Sequence, residues 1–351
     1  MERKTKLIEA LKIKIPVVQG PMLGVTTPAM VAAVSNSGGL GSLPVGGLAP
    51  DKVEELIQAT KRLTDQPFAV NVFAHEIPTH TNPAILNAMQ DFLAAFSLAH
   101  GLPYTVRDTS EFKFVGYQEQ LDSILRNKVP VVSSTFGVLD QHSMSRLQEK
   151  KITVIGTATS VAEALVLEQS GVAIVTAQGI EAGGHRGSFL QQDRLPQIGS
   201  MSLIPLISDA VQIPVLAAGG IATNRAMRAA FLLGAAGVQV GSLFIPAAES
   251  AASEIYKEAV MGAKDTDTVV TKALTGRWAR GIRNVLLESI ENAGLEIPDY
   301  VIHNFLTSGI RSFAAGAQRK EFLSLWAGQS SSKAKRGTTA ELFLELVQDG
   351  W

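Results

Sequence analysis

Two short glycine-bearing segments, Ala217-Ala218-Gly219-Gly220-Ile221 and Gln239-Val240-Gly241-Ser242, each follow an apolar, strand-like run and lie one helix-length apart. Glycine lacks a Cβ, so such turns let backbone N–H groups close on an anion. In an eight-stranded α/β barrel the loops after strands seven and eight form the usual phosphate pocket, which makes a phosphorylated ligand the first expectation. Upstream, Gln178-Gly179-Ile180-Glu181-Ala182-Gly183-Gly184-His185-Arg186-Gly187 combines glycines that admit a flat ligand with a histidine whose ordinary pKa lies near neutrality. His185 is therefore the first candidate for a proton carrier, weighed against a loop histidine that only bonds backbone. His75 and His80 are second choices, while His100, His142 and His303 read as surface or structural.

Two carboxamides extend this pattern. Asn71, in Ala69-Val70-Asn71-Val72-Phe73, and Gln178 both stand at the ends of apolar runs, where an amide offers donor and acceptor to a heterocycle edge. Satisfaction by backbone is the plainer alternative for each. Together with a phosphate pocket they describe a site for flavin mononucleotide (FMN) better than one for a sugar phosphate. Gly20-Pro21-Met22 ends an earlier run in a turn that could lie against a ring or simply fill the core. The His185-Arg186 pair is the one positive charge at a strand end.

These residues need a frame to bring them together. Apolar runs at 16–19, 39–43, 68–72, 129–133, 152–156, 173–177, 214–217 and 238–240 read as buried strands, most followed by amphipathic segments such as 27–37, 51–63, 160–169 and 224–233. Thr159 or Ser160, and Thr223, suit N-caps, and Gly171 and Gly234 sit where helices should stop. The alternation predicts an α/β fold, a TIM-type (β/α)8 barrel. Longer stretches at 74–129 and 178–201 exceed ordinary connectors, the first with helical segments of its own. After Phe244 helical patterns take over, at 247–261 and 283–293, as an added helical cap. The expected division is an FMN-binding barrel over 1–245 and a mainly helical cap and C-terminal segment packing on it over 246–351. The basic stretch from Ser330 to Gly337 reads as a solvated loop.

Composition narrows the chemistry. The 351 residues are 46% hydrophobic and 18% charged with a net charge of −1, which suggests neither a nucleic-acid nor a membrane partner. Having no cysteine excludes disulfides, thiolate metal sites, iron–sulfur clusters and a cysteine nucleophile. No clustered ligand set recommends a metal. No GxGxxG follows a strand, because Gly39-Leu40-Gly41-Ser42-Leu43-Pro44 ends in proline, and Walker A and HExxH signatures are missing. The charged N-terminus and the lack of a long apolar run point to a cytoplasmic protein.

Across essentially the whole chain, Gly20-Pro21-Met22, Val34-Ser35-Asn36-Ser37-Gly38-Gly39-Leu40-Gly41, Asn71-Val72-Phe73, Ile155-Gly156-Thr157-Ala158-Thr159-Ser160, the 177–187 loop and Ala217-Ala218-Gly219-Gly220-Ile221 resemble the nitronate monooxygenases, formerly called 2-nitropropane dioxygenases. In the tail, Thr271-Lys272-Ala273, Ala279-Arg280-Gly281-Ile282 and Ser324-Leu325-Trp326-Ala327-Gly328-Gln329 look like the bacterial class I enzymes. The resemblance implies noncovalent FMN and oxidation of alkyl nitronates, such as propionate 3-nitronate, with O2 through a flavin semiquinone. Products would be an aldehyde or ketone and nitrite, with His185 as the catalytic base. Carried over by position, FMN contacts fall at Asn71, Gln178, Gly183, Gly220, Gln239, Val240, Gly241 and Ser242. The residues' own pattern adds Gly20, Pro21, Met22, Gly184 and Gly219. The implied partners are a small nitronate or nitroalkane and O2, and a homodimer is compatible with the resemblance. The closest alternative is an FMN-dependent enoyl-acyl-carrier-protein reductase using NAD(P)H, against which the SLWAGQ tail speaks. A barrel that merely binds a phosphorylated ligand is a second alternative, opposed by the presence of His185.

Overall fold

Short runs of β-branched and small residues form the eight strands of the barrel: β1 (Val17–Gln19), β2 (Gly41–Pro44), β3 (Phe68–Phe73), β4 (Val131–Thr135), β5 (Thr153–Ala158), β6 (Ile174–Gln178) and, after the two-residue β7 (Gly184–His185), β8 (Val215–Ala218) and β9 (Gly237–Val240). The computed structural model describes residues 2–78, 82–108, 112–190, 194–348 and 350. Every pairing among the eight is parallel, in the order β1-β9-β8-β6-β5-β4-β3-β2. The ring closes where Gln19 N–H donates to Leu40 O and Leu40 N–H donates to Val17 O, both at 2.9 Å. This is the TIM-type barrel that the alternation of strand and helix predicts.

The helices start where their caps are written. After α1 (Glu2–Leu11), α2 (Pro28–Asn36) begins at Thr27, whose side chain accepts from Met30 N–H, with proline at the first helical position. Next come α3 (Pro50–Lys61), α4 (Pro83–Ala99), α5 (Tyr117–Arg126), α6 (Gln141–Glu149), α7 (Val161–Gln169), α8 (Ser200–Ala210) and α9 (Asn224–Leu232). Ser160 and Thr223 cap α7 and α9 through Glu163 N–H and Ala226 N–H. Residues near the strand starts, among them Val18, Leu40, Val131, Ile155 and Leu216, pack with Leu7 and Leu11, so α1 plugs that end of the barrel. The opposite end is left for chemistry.

Beyond the barrel the chain continues as α10 (Glu254–Gly262), a hairpin of β10 (Thr268–Thr271) and β11 (Ala279–Ile282), then α11 (Val285–Asn292), α12 (Ile302–Gly316) and α13 (Thr339–Val347). The helix expected from 247 begins only at Glu254, because residues before it make tertiary bonds instead, Ala248 N–H to Gly337 O and Ala251 N–H to Val25 O. The hairpin was not foreseen either. Its β11 strand pairs antiparallel with β7, so a third strand from the His185 loop completes a small sheet over the barrel mouth. A separate apolar cluster joins Met89 and Leu93 of α4 to Leu286 of α11 and Leu306 and Ile310 of α12. Among the described residues no helix is long and apolar enough to cross a membrane.

Candidate active site

A cleft of about 390 Å³ opens at the C-terminal ends of the strands. Gly20, Pro21, Met22, Asn71, Gln178, Gly183, Gly184, His185, Gly219, Gly220, Gln239, Gly241 and Ser242 all line it. Val240 does not. Its side chain lies in the core between barrel and helices, and its carbonyl accepts from Gly20 N–H at 2.8 Å. His75 sits in an aromatic cluster beside the cleft rather than in its lining, and His80 lies outside the described residues. His303 is fully buried and structural, its Nε2 2.7 Å from Ala273 O.

At one end of the cleft the backbone is left open to a ligand. The N–H groups of Gly219, Gly220, Gly241 and Ser242 donate to no described protein acceptor. Gly219 and Gly220 take successive positive φ values, +108° and +75°, a conformation other residues rarely adopt. Ser242 Oγ accepts from Gly328 N–H at 3.0 Å, leaving its own proton to donate, and Ser330 Oγ holds the carbonyl of Gly220 at 3.0 Å. Half-buried backbone donors left free at the end of a cleft are what an anion binds, so this end fits a phosphate. The solvated loop expected from Ser330 is corrected here: Ser330 and Ser331 reach the cleft, whereas Lys335 and Arg336 pair at the surface with Glu345 and Glu254.

The carboxamides differ. Asn71 Nδ2 donates to Ser133 Oγ at 2.9 Å and Thr135 Oγ1 at 3.1 Å, which leaves Oδ1 as a fixed acceptor at the cleft. Gln178 is more heavily used: Nε2 donates to His185 O at 3.0 Å and Oε1 accepts from Gly187 N–H at 2.8 Å. It thus holds the loop that carries His185. Arg186 is turned away altogether, fully buried and donating to the carbonyls of Gly179 and Gln178 at 2.6 and 2.7 Å. The positive charge at the cleft comes instead from Arg311 of α12.

His185 occupies the other end. Its Nε2 lies 2.9 Å from Thr275 Oγ1, and its ring is walled by Tyr300, Trp326 and Phe136 at centroid distances of 5.4, 5.3 and 5.8 Å. Trp326 is held by Tyr256, whose hydroxyl donates to its carbonyl at 2.7 Å. Burial, then the guanidinium groups of Arg277 and Arg311, then His75, push the His185 imidazole down to about 3, so the ring is neutral at neutral pH. Burial and Arg277 likewise push His75 down to about 4. Neither arginine has a carboxylate partner among the described ion pairs, and burial brings each down to about 10. This end of the cleft, beside Arg277 and Arg311, is an electropositive, aromatic-walled chamber suited to an anion.

Phe136, Tyr300, Thr275 and Arg311 escaped the sequence reading. All but Phe136 come from beyond residue 245, and Phe136 enters the cleft on a backbone with φ of +78°, which no motif advertises. Trp326 stood in the tail motif without a role.

The sequence profile of nitronate monooxygenases matches residues 4–349. The chain belongs to the nitronate monooxygenase family. A probable nitronate monooxygenase from Staphylococcus aureus strain MRSA252 is 44% identical over 332 residues, covering 94% of this chain and 92% of the relative. Among solved structures, the nitroalkane oxidase from Streptomyces ansochromogenes superposes with a TM-score of 0.89 at 33% identity, covering 97% of this chain and 96% of that one. FabK from Thermotoga maritima fits less closely, with a TM-score of 0.75 at 28% identity over 97% and 94% of the two chains. Nitronate monooxygenase membership makes this chain a flavin-dependent oxidoreductase, and the enoyl reductase alternative is not favoured.

Proposed function

We propose that this family member binds FMN and oxidises alkyl nitronates, such as propionate 3-nitronate, with O2 to an aldehyde or ketone and nitrite. The observation that carries the reading is the cluster of four unpaired backbone donors, at Gly219, Gly220, Gly241 and Ser242, in the same cleft as a half-buried, neutral histidine. One phosphate-sized concavity without a second nucleotide-binding motif supports a mononucleotide rather than a dinucleotide flavin. Residues 1–245 would carry these donors and Asn71, and residues 246–351 would close the substrate side with Tyr300, Arg311 and Trp326.

Bound flavin supplies the redox chemistry, accepting electrons from the nitronate and passing them to O2. The chain's own residues do the rest. Gly219, Gly220, Gly241 and Ser242 would hold the phosphate, and Asn71 Oδ1 would serve as an acceptor for the ring edge. The aromatic wall excludes water, which strengthens the attraction between Arg311 and an anionic substrate. A preformed nitronate needs no proton removed, so His185 acts as base on neutral nitroalkanes, taking the α-proton. As the proton leaves, the nitronate anion that forms beside the ring raises the imidazole pKa above its ligand-free value, which favours the transfer. Mass spectrometry of the cofactor released from purified protein tests the assignment: FMN is expected, and FAD or no flavin after reconstitution would overturn it.

A further inference from the structure

Nothing so far accounts for the hairpin laid across the barrel mouth. Its loop, residues 272–278, delivers Thr275 Oγ1 to 2.9 Å from His185 Nε2, and the whole connection is built to hold that distance. On the histidine side, β11 pairs with β7 in the register Ala279 to His185, and Arg186 N–H donates to Trp278 O at 2.8 Å. On the threonine side, α12 reaches down with two fully buried residues one turn apart. His303 Nε2 bonds Ala273 O and Thr307 Oγ1 bonds Leu274 O, each at 2.7 Å. Gly276, with φ of +83°, packs so closely on Pro298 and Asp299 that a Cβ there would collide with them. Thr275, 1% exposed, therefore cannot swing.

A threonine hydroxyl carries one proton. The structure offers it two acceptors, Arg277 O at 3.3 Å and His185 Nε2 at 2.9 Å, and giving it to Arg277 O lets all three groups pair, with the oxygen lone pair toward His185. His185 Nε2 must then carry the hydrogen, and Nδ1, which has no described protein partner, keeps the free lone pair.

We propose that Thr275 is a positioning residue that fixes His185 as the Nε2–H tautomer and so assigns Nδ1 as the atom that removes the α-proton. The inference rests on His185 being the base. In that step the C–H bond of a neutral nitroalkane breaks, its electron pair passes into the nitro group to give the nitronate anion, and the proton arrives on Nδ1. The imidazolium formed keeps its Nε2–H bond to Thr275. The other charged and titratable groups facing the ring are Arg277, Arg311, His75 and Tyr300, whose side chains are held by contacts that do not involve the threonine hydroxyl, since that hydroxyl meets only the backbone carbonyl of Arg277.

The test compares Thr275→Val, which keeps shape and removes the hydroxyl, with Thr275→Ser, which keeps the hydroxyl, in flavin-loaded enzyme. Thr275→Val is expected to lower kcat on neutral nitroalkane by about tenfold and to move the pH profile, with KM, flavin content and turnover of preformed nitronate little changed. Thr275→Ser should restore kcat to within about twofold. Independently of activity, 15N NMR of histidine-labelled enzyme, with His185→Asn to assign the signals, should show a protonated Nε2 that loses its fixed state in Thr275→Val. A protonated Nδ1 in the wild type, an unaltered Thr275→Val beside an impaired His185→Asn, or equal losses in Val and Ser would each overturn the proposal. Full nitroalkane turnover by His185→Asn would instead remove the reading of His185 on which it stands.

Discussion

The two ends of the cleft are made in opposite ways. The end proposed to hold phosphate consists of backbone N–H groups in two loops, each directly after its strand, and needs glycine conformations more than side chains. The His185 end is assembled from a loop after β6, a turn after β4, a hairpin whose Thr275 is 90 residues away in the chain, a more distant helix, and a tail tryptophan. Local backbone geometry can specify an anion site, whereas an environment that keeps an imidazole neutral has to be gathered from across the fold. The two ends should therefore fail separately.

Gly220→Val presses on the first end and carries the largest expected effect. At φ of +75° a β-branched residue adds strain of about 1–3 kcal/mol and puts a side chain where the phosphate would lie. The folded variant should lose most of its flavin, and unchanged flavin occupancy by absorbance would show that these loops are not the phosphate site. His185→Asn presses on the second end. Flavin should stay bound while turnover of neutral nitroalkane falls by about a hundredfold, and turnover of preformed nitronate falls less. Equal loss of flavin in both variants would erase the division between the ends.

The gathered environment has a pH signature. His75, His185 and His303 all titrate below the ordinary histidine value when folded, at about 4, 3 and 4, chiefly because burial disfavours the charged ring. The unfolded chain binds more protons in that window, so stability is full above about pH 6.5 and falls as pH drops toward 4, by up to about 1.4 kcal/mol per pH unit for each group. Melting temperatures at pH 7, 6 and 5 should decline stepwise; a flat series would contradict the burial. The smallest effect belongs to Tyr256→Phe. Losing the bond to Trp326 O should cost about 1 kcal/mol and loosen the tryptophan wall, read as a modest rise in KM with kcat retained. A kcat loss as large as that of His185→Asn would mean that the wall does more than contain the substrate.

This contrast also explains what the sequence could reveal. The strands and capped helices were legible because β-branched runs and Ser, Thr and Gly at the boundaries act locally, as at Ser160, Thr223 and Gly171. That the glycine loops after β8 and β9 meet at one cleft was legible for the same reason. Val240 was drawn into the site by its neighbours, though strand alternation turns its side chain to the core. Arg186 looked like a site cation because nothing local shows that its guanidinium folds back on the carbonyls of Gln178 and Gly179. The hairpin carrying Thr275 was hidden because pairing between β11 and β7 is a long-range fact, and Thr268-Val269-Val270-Thr271 is too short a run to announce its partner.

The central claim is that a nitronate, and not a reduced nicotinamide, delivers electrons to the flavin in the His185 cleft. Anaerobic mixing decides it most directly, with purified yellow enzyme receiving propionate 3-nitronate in one cuvette and NADPH in another while the flavin absorbance is followed. The nitronate should reduce the flavin, and NADPH should leave it oxidised over the same time. Bleaching by NADPH with no response to the nitronate would contradict it and restore the enoyl reductase alternative.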